Sequence, residues 1–291
     1  MSGPVEGLLL IDKPPGPTSH DVVAQVRARA GLRRVGHTGT LDPMASGLLV
    51  LALGRATRLI RYLPAAPKVY EGTLRLGVTT HSDDTTGTVL ETHDGPLPDA
   101  RRVTEVASEF VGRGEQVPPR VSARKISGQR MYRLARRGVE VEAATAPIEV
   151  FRFDLSPTER SDNWGFTASV SAGTYIRALA RDLGARLGCG GALSSLRRTA
   201  IGPMSVADAV PADAEDLFER VVAVVRMPLE PPSLQVDGPA ARRFAQGGEV
   251  TTDDTGHGDG LFRVLTDRGE LLGVGEARAG RLRPRVVLRS R

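Results

Sequence analysis

Four shortages frame this sequence. Cysteine occurs once in 291 residues, at Cys189, which excludes an intrachain disulfide and a cluster of thiolate metal ligands. No apolar run reaches the roughly 18 residues that a bilayer-spanning helix needs. The opening MSGPVEGLLLIDKPPG lacks the basic start and long apolar core of a secretory leader. The expectation is a cytoplasmic protein without a membrane partner. Lysine is also scarce: Lys13, Lys68 and Lys125 are the only three among 39 basic residues. The arginine preference can reflect GC-rich coding. What is present is ordinary for a soluble globular chain, with 40% hydrophobic and 25% charged residues.

The formal net charge is +5 and the isoelectric point about 9.8, a balance that leans toward a polyanionic partner. The basic residues cluster. Residues 120–137, RVSARKISGQRMYRLARR, hold seven basic side chains and no acid. Residues 277–291 hold Arg278, Arg281, Arg283, Arg285, Arg289 and Arg291, again with no acid. A charge run is often only a solvated face. Two acid-free runs, one with Tyr132 interleaved, favour contact with a phosphate backbone.

Residues 7–14 read as a strand ended by Lys-Pro. Val22, Val23, Val26 and Ala30 recur at helical spacing after Ser19, which is placed to cap a helix over 19–30. Residues 56–63 read as a short helix and 69–78 as a strand, followed by the polar loop THSDDTTG. A helix is expected at 103–110, strands at 148–155 and 164–171. A further helix over 174–187 has Ile176, Leu179, Ala180, Leu183 and Leu187 on one face and is ended by GCGG. The proline-rich stretch 227–239 reads as a boundary. A short helix, AARRFAQ, and two strands, LFRVLTD and LLGVGEARA, follow it in a small β unit.

The stretch GHTGTLDPMASGLLVLALG, residues 36–54, sets a polar Gly/Thr loop directly before an apolar strand. Pro43 pushes Asp42 out of the α region, and Gly36, Gly39 and Gly47 allow sharp turns or close approach of a ligand. A carboxylate on such a loop, backed by a rigid strand, is placed as a catalytic group would be; it equally fits an Asp-Pro turn. His37, His81, Asp83, Asp84 and His93 have no recognised metal spacing. The loop lacks the P-loop pattern, and Ser46 lies outside any G-x-S-x-G. In SAGTYIRALARDLG, Tyr175 and Arg177 fall at a helix start just after a strand. That is a common site position in α/β proteins, and Tyr175 in the core with Arg177 on the surface is the plainer alternative.

Taken together, these segments resemble the TruB family, the bacterial tRNA pseudouridine-55 synthases. GLLLIDKPPGPTSHDVV resembles the family's N-terminal motif and GHTGTLDPMASGLL its signature. KVYEGTLRLGVTTHSDDTTG, VPPRVSARKISGQRMYRLARRG, GTYIRALARDLG and LSSLRR follow in the family's order. The resemblance covers most of the chain. It implies an α+β fold: a mixed-sheet pseudouridine synthase catalytic domain with flanking helices over 1–230, and a small β-rich, PUA-like RNA-binding domain over 231–291. Asp42 falls at the nucleophile position and Tyr70 at the stacking position on a flipped-out base. Tyr175, Arg177 and Leu196 fall at pocket positions, with Arg177 orienting Asp42. His37 is implied to contact the RNA loop, and Lys13 to support the catalytic loop. Arg130, Arg133 and Arg137 are expected on the RNA backbone. The resemblance implies isomerisation of uridine-55 in the TΨC loop of tRNA, without metal or cofactor, by a monomer needing no protein partner. A guide-RNA-dependent relative, a tRNA folding helper with dispensable catalysis, and a structural RNA binder are the other readings.

Overall fold

The computed structural model describes residues 5–119, 125–126, 129–130, 144–251 and 258–288. In chain order the first part comprises β1 (Gly7–Lys13), α1 (Ser19–Ala30), β2 (Val35–His37), β3 (Ser46–Leu53), a 3₁₀ segment (Gly54–Tyr62), β4 (Lys68–Leu76), β5 (Val78–Thr80), β6 (Val89–Thr92), α2 (Ala100–Ser108) and β7 (Gly112–Gln116). The short strands β8 (Lys125–Ile126) and β9 (Gln129–Arg130) come next, then β10 (Ala146–Pro157), β11 (Asn163–Val170), α3 (Ile176–Leu187), β12 (Gly191–Ile201), β13 (Met204–Ser205) and β14 (Val222–Ala223). The last part holds β15 (Ser233–Val236), α4 (Gly238–Ala245), β16 (Val250–Thr251), β17 (Gly260–Thr266), β18 (Leu271–Arg278) and β19 (Arg281–Val287). The expected α+β architecture is present.

Ten strands form one mixed sheet in the order β14-β1-β3-β12-β4-β11-β10-β7, with β2 on β3 and β13 on β12. Five strands form a second sheet, β15-β17-β18-β19-β16. The unbroken apolar character of β1 and β3 follows from burial on both faces, since successive side chains of a strand point to opposite sides. Leu9, Ile11, Leu49, Leu51 and Leu53 join the core beneath α1 and α3. Leu8, Leu10, Leu48, Val50 and Ala52 face the other way and pack with Val274, Val286 and Leu288 of the second sheet. The two sheets therefore share a core.

The proline-rich stretch is accordingly packed rather than a loose linker: Met227 and Leu229 lie in that shared core and Ser233 already begins a strand. Other expectations shift by a few residues. Thr18, not Ser19, caps α1, through a capping box with Asp21. Ser19 instead turns inward, donating to the Leu41 carbonyl at 3.0 Å and accepting the Leu41 N–H at 2.9 Å. The helix expected over 56–63 is 3₁₀ and starts at Gly54. The strand expected over 69–78 ends at Leu76, because Gly77 takes φ +82°, and Val78–Thr80 pairs with β6 instead.

Candidate functional site

Asp42, Tyr70, Leu196, Tyr175 and Arg177 line one cavity of about 470 Å³, together with Thr40, Leu41, Lys68 and Ile176. That volume lies within the roughly 300–1,000 Å³ of small-molecule sites. Its walls come from the middle of the large sheet. The Asp42 loop enters β3, Leu196 is on β12 and Tyr70 on β4, three strands in adjacent positions. The N-terminal end of α3 brings Tyr175 and Arg177. Tyr175 is the N-cap residue of that helix rather than part of its first turn.

Arg177 is the hinge of the electrostatics. Its side chain is 4% exposed and donates from Nε to Asp42 Oδ2 at 2.8 Å, while Asp42 keeps 36% exposure toward the cavity. Arg177 Nη1 donates to the Ser82 carbonyl at 2.7 Å, and Asp84 Oδ2 lies 3.8 Å from its Nε. The guanidinium is thus fixed from one side and presents Asp42 from the other, the planar fork geometry that lysine cannot reproduce. Asp84 is itself held by local hydrogen bonds. Ser82 Oγ donates at 2.9 Å, the Thr86 N–H at 3.0 Å and Thr86 Oγ1 at 2.5 Å, all to Oδ1.

The backbone of the Asp42 loop is anchored from below. Lys13, fully buried, donates to the carbonyl oxygens of Pro14 at 2.9 Å and Pro43 at 3.4 Å. Its pKa is pushed down to about 8 by burial, against the pull of Asp42 and Asp21. Arg198, also fully buried, donates to Leu48 O at 2.8 Å, Gly39 O at 3.0 Å and Thr40 O at 3.5 Å. Gly47 has φ +95°, and a Cβ there would lie 2.3 Å from the Arg198 carbonyl oxygen, so the close crossing of β3 and β12 requires glycine. Gly36 and Gly39 carry no such backbone requirement.

Asp83 adopts φ +60° and accepts from Arg181 at 2.9 Å. Burial raises its pKa, with Arg181 and Arg177 pulling the other way. Asp83 and Asp84, weighed from sequence as metal ligands, thus serve as partners of α3 arginines. His37 sits on β2 and is not among the cavity-lining residues; its ring meets His20 edge-on at 5.5 Å between centroids. For Arg130 only the backbone is described, within β9, and Arg133 and Arg137 lie outside the described residues. The sequence reading missed Gln116, Lys68 and Arg198, and missed Asp84 as a partner of Arg177. Asp84 had a local signal, since Asp followed two residues later by Thr86 fits an Asx turn. The others act through contacts distant in sequence.

The C-terminal arginines differ from expectation. Arg281, Arg283 and Arg285 lie on β19, where the inward residues Leu282 and Val286 alternate with them. Arg281 and Arg283 pair with Glu249, and Arg285 with Glu276. The run is free of acids in sequence but not in space.

Residues 27–176 match the TruB family pseudouridylate synthase N-terminal domain. Residues 177–222 match the tRNA pseudouridylate synthase B C-terminal domain, and residues 232–288 the pseudouridine synthase II TruB C-terminal domain. The tRNA pseudouridine synthase B of Thermobifida fusca is 42% identical, over 97% of this chain and 98% of its own length. That of Aquifex aeolicus is 37% identical, over 98% and 100%. Among solved structures, a chain of an H/ACA RNP bound to a substrate RNA containing 2′-deoxyuridine superposes with a TM-score of 0.71 at 25% identity, over 99% of this chain and 86% of that one. A chain of a Cbf5-Nop10-Gar1 complex gives 0.69 at 27%, over 93% and 78%. The chain belongs to the TruB family of pseudouridylate synthases.

Proposed function

We propose that this protein isomerises uridine-55 to pseudouridine in the T arm of tRNA, with Asp42 as the reacting carboxylate. The observation that carries the reading is the Asp42–Arg177 ion pair on the cavity wall. A half-open carboxylate is held by a buried arginine in a cavity of nucleoside size. The curated relatives at 37–42% identity over nearly their whole length are named as tRNA pseudouridine synthase B, which supports tRNA as substrate.

The chemistry asks little else of the protein. Cleavage of the N1–C1′ bond leaves positive charge on the ribose, as in glycoside hydrolysis. Asp42 meets that charge as nucleophile at C1′ or as base toward the sugar. The freed base turns, C5 joins C1′, the C5 proton leaves, and N1 ends with a proton. Atoms balance within one nucleotide, so no group donor or redox partner enters. The target base must leave its stack to reach Asp42. Tyr70 supplies a ring for it, and Leu196 gives an apolar wall that strengthens the electrostatics.

Residues 1–230 carry the catalysis in this reading. The C-terminal residues 231–291, PUA-like in their β-rich composition, serve RNA capture, and Arg130, Arg133 and Arg137 contact the RNA backbone. The protein works as a single chain. The test is incubation with an unmodified tRNA transcript, without added guide RNA or protein, followed by mapping of pseudouridine. Product at position 55 is expected from the wild type, and none from Asp42→Asn at a transcript affinity within a few-fold. Turnover by Asp42→Asn would remove Asp42 from the chemistry. A requirement for guide RNA would move the protein to the ribonucleoprotein branch that the solved relatives represent.

A further inference from the structure

We propose that the ammonium group of Lys68 binds a phosphate oxygen of the nucleotide seated in the Asp42 cavity. The inference rests on the pseudouridine-synthase reading for the identity of the ligand, a phosphodiester. It rests on the geometry for the residue.

Lys68 opens β4 and Tyr70 stands two residues on. Alternation along a strand puts both side chains on one face, and both line the cavity with Asp42. The ammonium lies against the Asp42 loop: a Cβ placed on Gly39 would be 3.3 Å from Lys68 Nζ and 3.7 Å from Arg198 Nη1. Two cations thus flank one residue of that loop. Arg198 is committed to three backbone carbonyls. Arg177, also on the cavity wall, is committed to Asp42, Asp84 and the Ser82 carbonyl. Lys68 differs from both, because among the described residues its ammonium has no hydrogen bond or ion pair.

A partly buried cation with no such partner among the described residues, held beside another cation, is an unfavourable arrangement. Burial first, and then Arg198, lower its pKa to about 8. An anion at Nζ reverses both effects. The substrate brings such an anion wherever a nucleotide enters the cavity, because every nucleotide carries a bridging phosphate on each side. Gly39 leaves the space in which the ammonium and the phosphate meet.

The experiment is a phosphate scan. T-arm stem-loops carrying a neutral methylphosphonate at each phosphate flanking the target uridine are titrated against wild type, Lys68→Met and Lys68→Arg. Circular dichroism checks the fold of each variant. In the wild type, one substitution should weaken binding by about tenfold or more, the range of a lost charge-assisted hydrogen bond. Lys68→Met should bind the unmodified stem-loop correspondingly more weakly, with no further loss from that methylphosphonate. Its log–log salt slope should be shallower by about 0.7. Lys68→Arg should keep the sensitivity.

A second reading comes from pH. Wild-type affinity should hold below about pH 8 and fall above it as Lys68 loses its proton, and Lys68→Arg should lack that fall. The charged and titratable groups facing the same space are Arg198, Asp42, Arg177, Tyr70 and Tyr175, so the arginine comparison isolates Lys68. Wild-type binding indifferent to every flanking methylphosphonate would overturn the proposal even if Lys68→Met failed to fold. An undiminished penalty in a folded Lys68→Met would overturn it as well. Formation of pseudouridine by the wild type is scored separately, so failure of the reaction reading is distinguishable from failure of the Lys68 assignment.

Discussion

The carboxamide of Gln116 closes a two-bond ring with the backbone of Tyr175: Nε2 donates to the carbonyl at 3.1 Å, and Oε1 accepts the N–H at 2.9 Å. Tyr175 is the N-cap of α3 and has no side-chain cap of its own. A residue 59 positions away in sequence therefore anchors the backbone at the start of the helix. One residue further, the Val117 carbonyl accepts from Arg181 at 2.9 Å. The end of β7 is thus fastened to the helix that carries Arg177.

Loss of that ring should be felt in catalysis as well as in stability. Gln116→Ala leaves the Tyr175 N–H without its partner, which costs about 1–3 kcal/mol, while the carbonyl keeps the Leu179 N–H at 3.1 Å. It also frees the cavity wall to shift, so kcat should fall more than KM rises. Gln116→Glu keeps the acceptor and loses the donor, and should lie between. Urea titration and steady-state kinetics on a T-arm stem-loop measure both. A destabilised Gln116→Ala with unchanged kcat would show that the wall is held independently of β7.

Lys13 leads to a prediction with an unusual sign. Its folded pKa of about 8 lies below the value near 10.4 of an unfolded lysine. Between those two values the unfolded chain binds the proton and the folded chain does not, so this group makes stability rise with pH from about 8 to 10.4. Lys68, also at about 8, adds a contribution of the same sign. Lys13→Met should remove its share of that rise. At pH 7 the desolvation cost of the buried ammonium opposes the loss of its bonds to the Pro14 and Pro43 carbonyls, so the variant should change little in stability. Its activity should drop, since the bonds to Pro14 and Pro43 beside Asp42 are gone. Denaturation at pH 7, 8.5 and 10 checks the slope; a parallel loss of stability and activity at pH 7 would contradict it.

Much of the cavity was legible because the residues proposed for the chemistry sit in short local patterns. Asp42 before Pro43, and Tyr175 and Arg177 at a helix start, each stood out from their neighbours. The residues that hold them did not. Gln116, Asp84 and Arg198 become meaningful only when β7, β12 and the residue 80–86 loop are brought against α3 and the signature loop, and no local spacing encodes those contacts. The same limit explains the C-terminal run. Its arginines are spaced as the outward residues of a strand, and their acids, Glu249 and Glu276, come from elsewhere in the chain. The apolar runs at 7–13 and 46–53 announced burial; that the second face is covered by the C-terminal sheet was not readable from them.

The two basic runs should consequently differ in how they bind RNA. Each phosphate neutralised contributes about 0.7–0.9 to the log–log salt slope. Replacing Arg130, Arg133 and Arg137 together with alanine should weaken tRNA binding and flatten the slope by about 2. Replacing Arg281, Arg283 and Arg285 should flatten it by less, because Glu249 and Glu276 already offset those charges in the free protein. Equal changes from the two triple variants would mean that the C-terminal ion pairs open on binding.

The shared core sets the outcome of separating the two sheets. A chain ended near residue 230 keeps every cavity-lining residue, and Tyr70, Leu196, Leu41 and Ile176 belong to the core on the α1 and α3 side. It loses Val274, Val286 and Leu288 from the opposite core, together with the bond from Arg58 to the Val287 carbonyl at 2.7 Å. Leu8, Leu10, Leu48 and Val50 then lose part of their cover, with Leu59, Tyr62, Met227 and Leu229 remaining, and exposing such side chains costs up to about 1.5–3 kcal/mol each where burial is fully lost. The fragment should melt well below the full chain and bind a hydrophobic dye. At temperatures where circular dichroism shows it folded, it should still modify an isolated T-arm stem-loop. On full-length tRNA its KM should rise more than its kcat falls, the pattern of lost uniform binding. Val286→Asp in the intact chain is the control, because it places a charge in the same interface and should lower the melting temperature without removing any RNA-facing residue. A fragment that melts with the full chain would show that the two sheets are energetically independent, and a folded fragment inactive on the stem-loop would show that the C-terminal sheet shapes the cavity across the central strands.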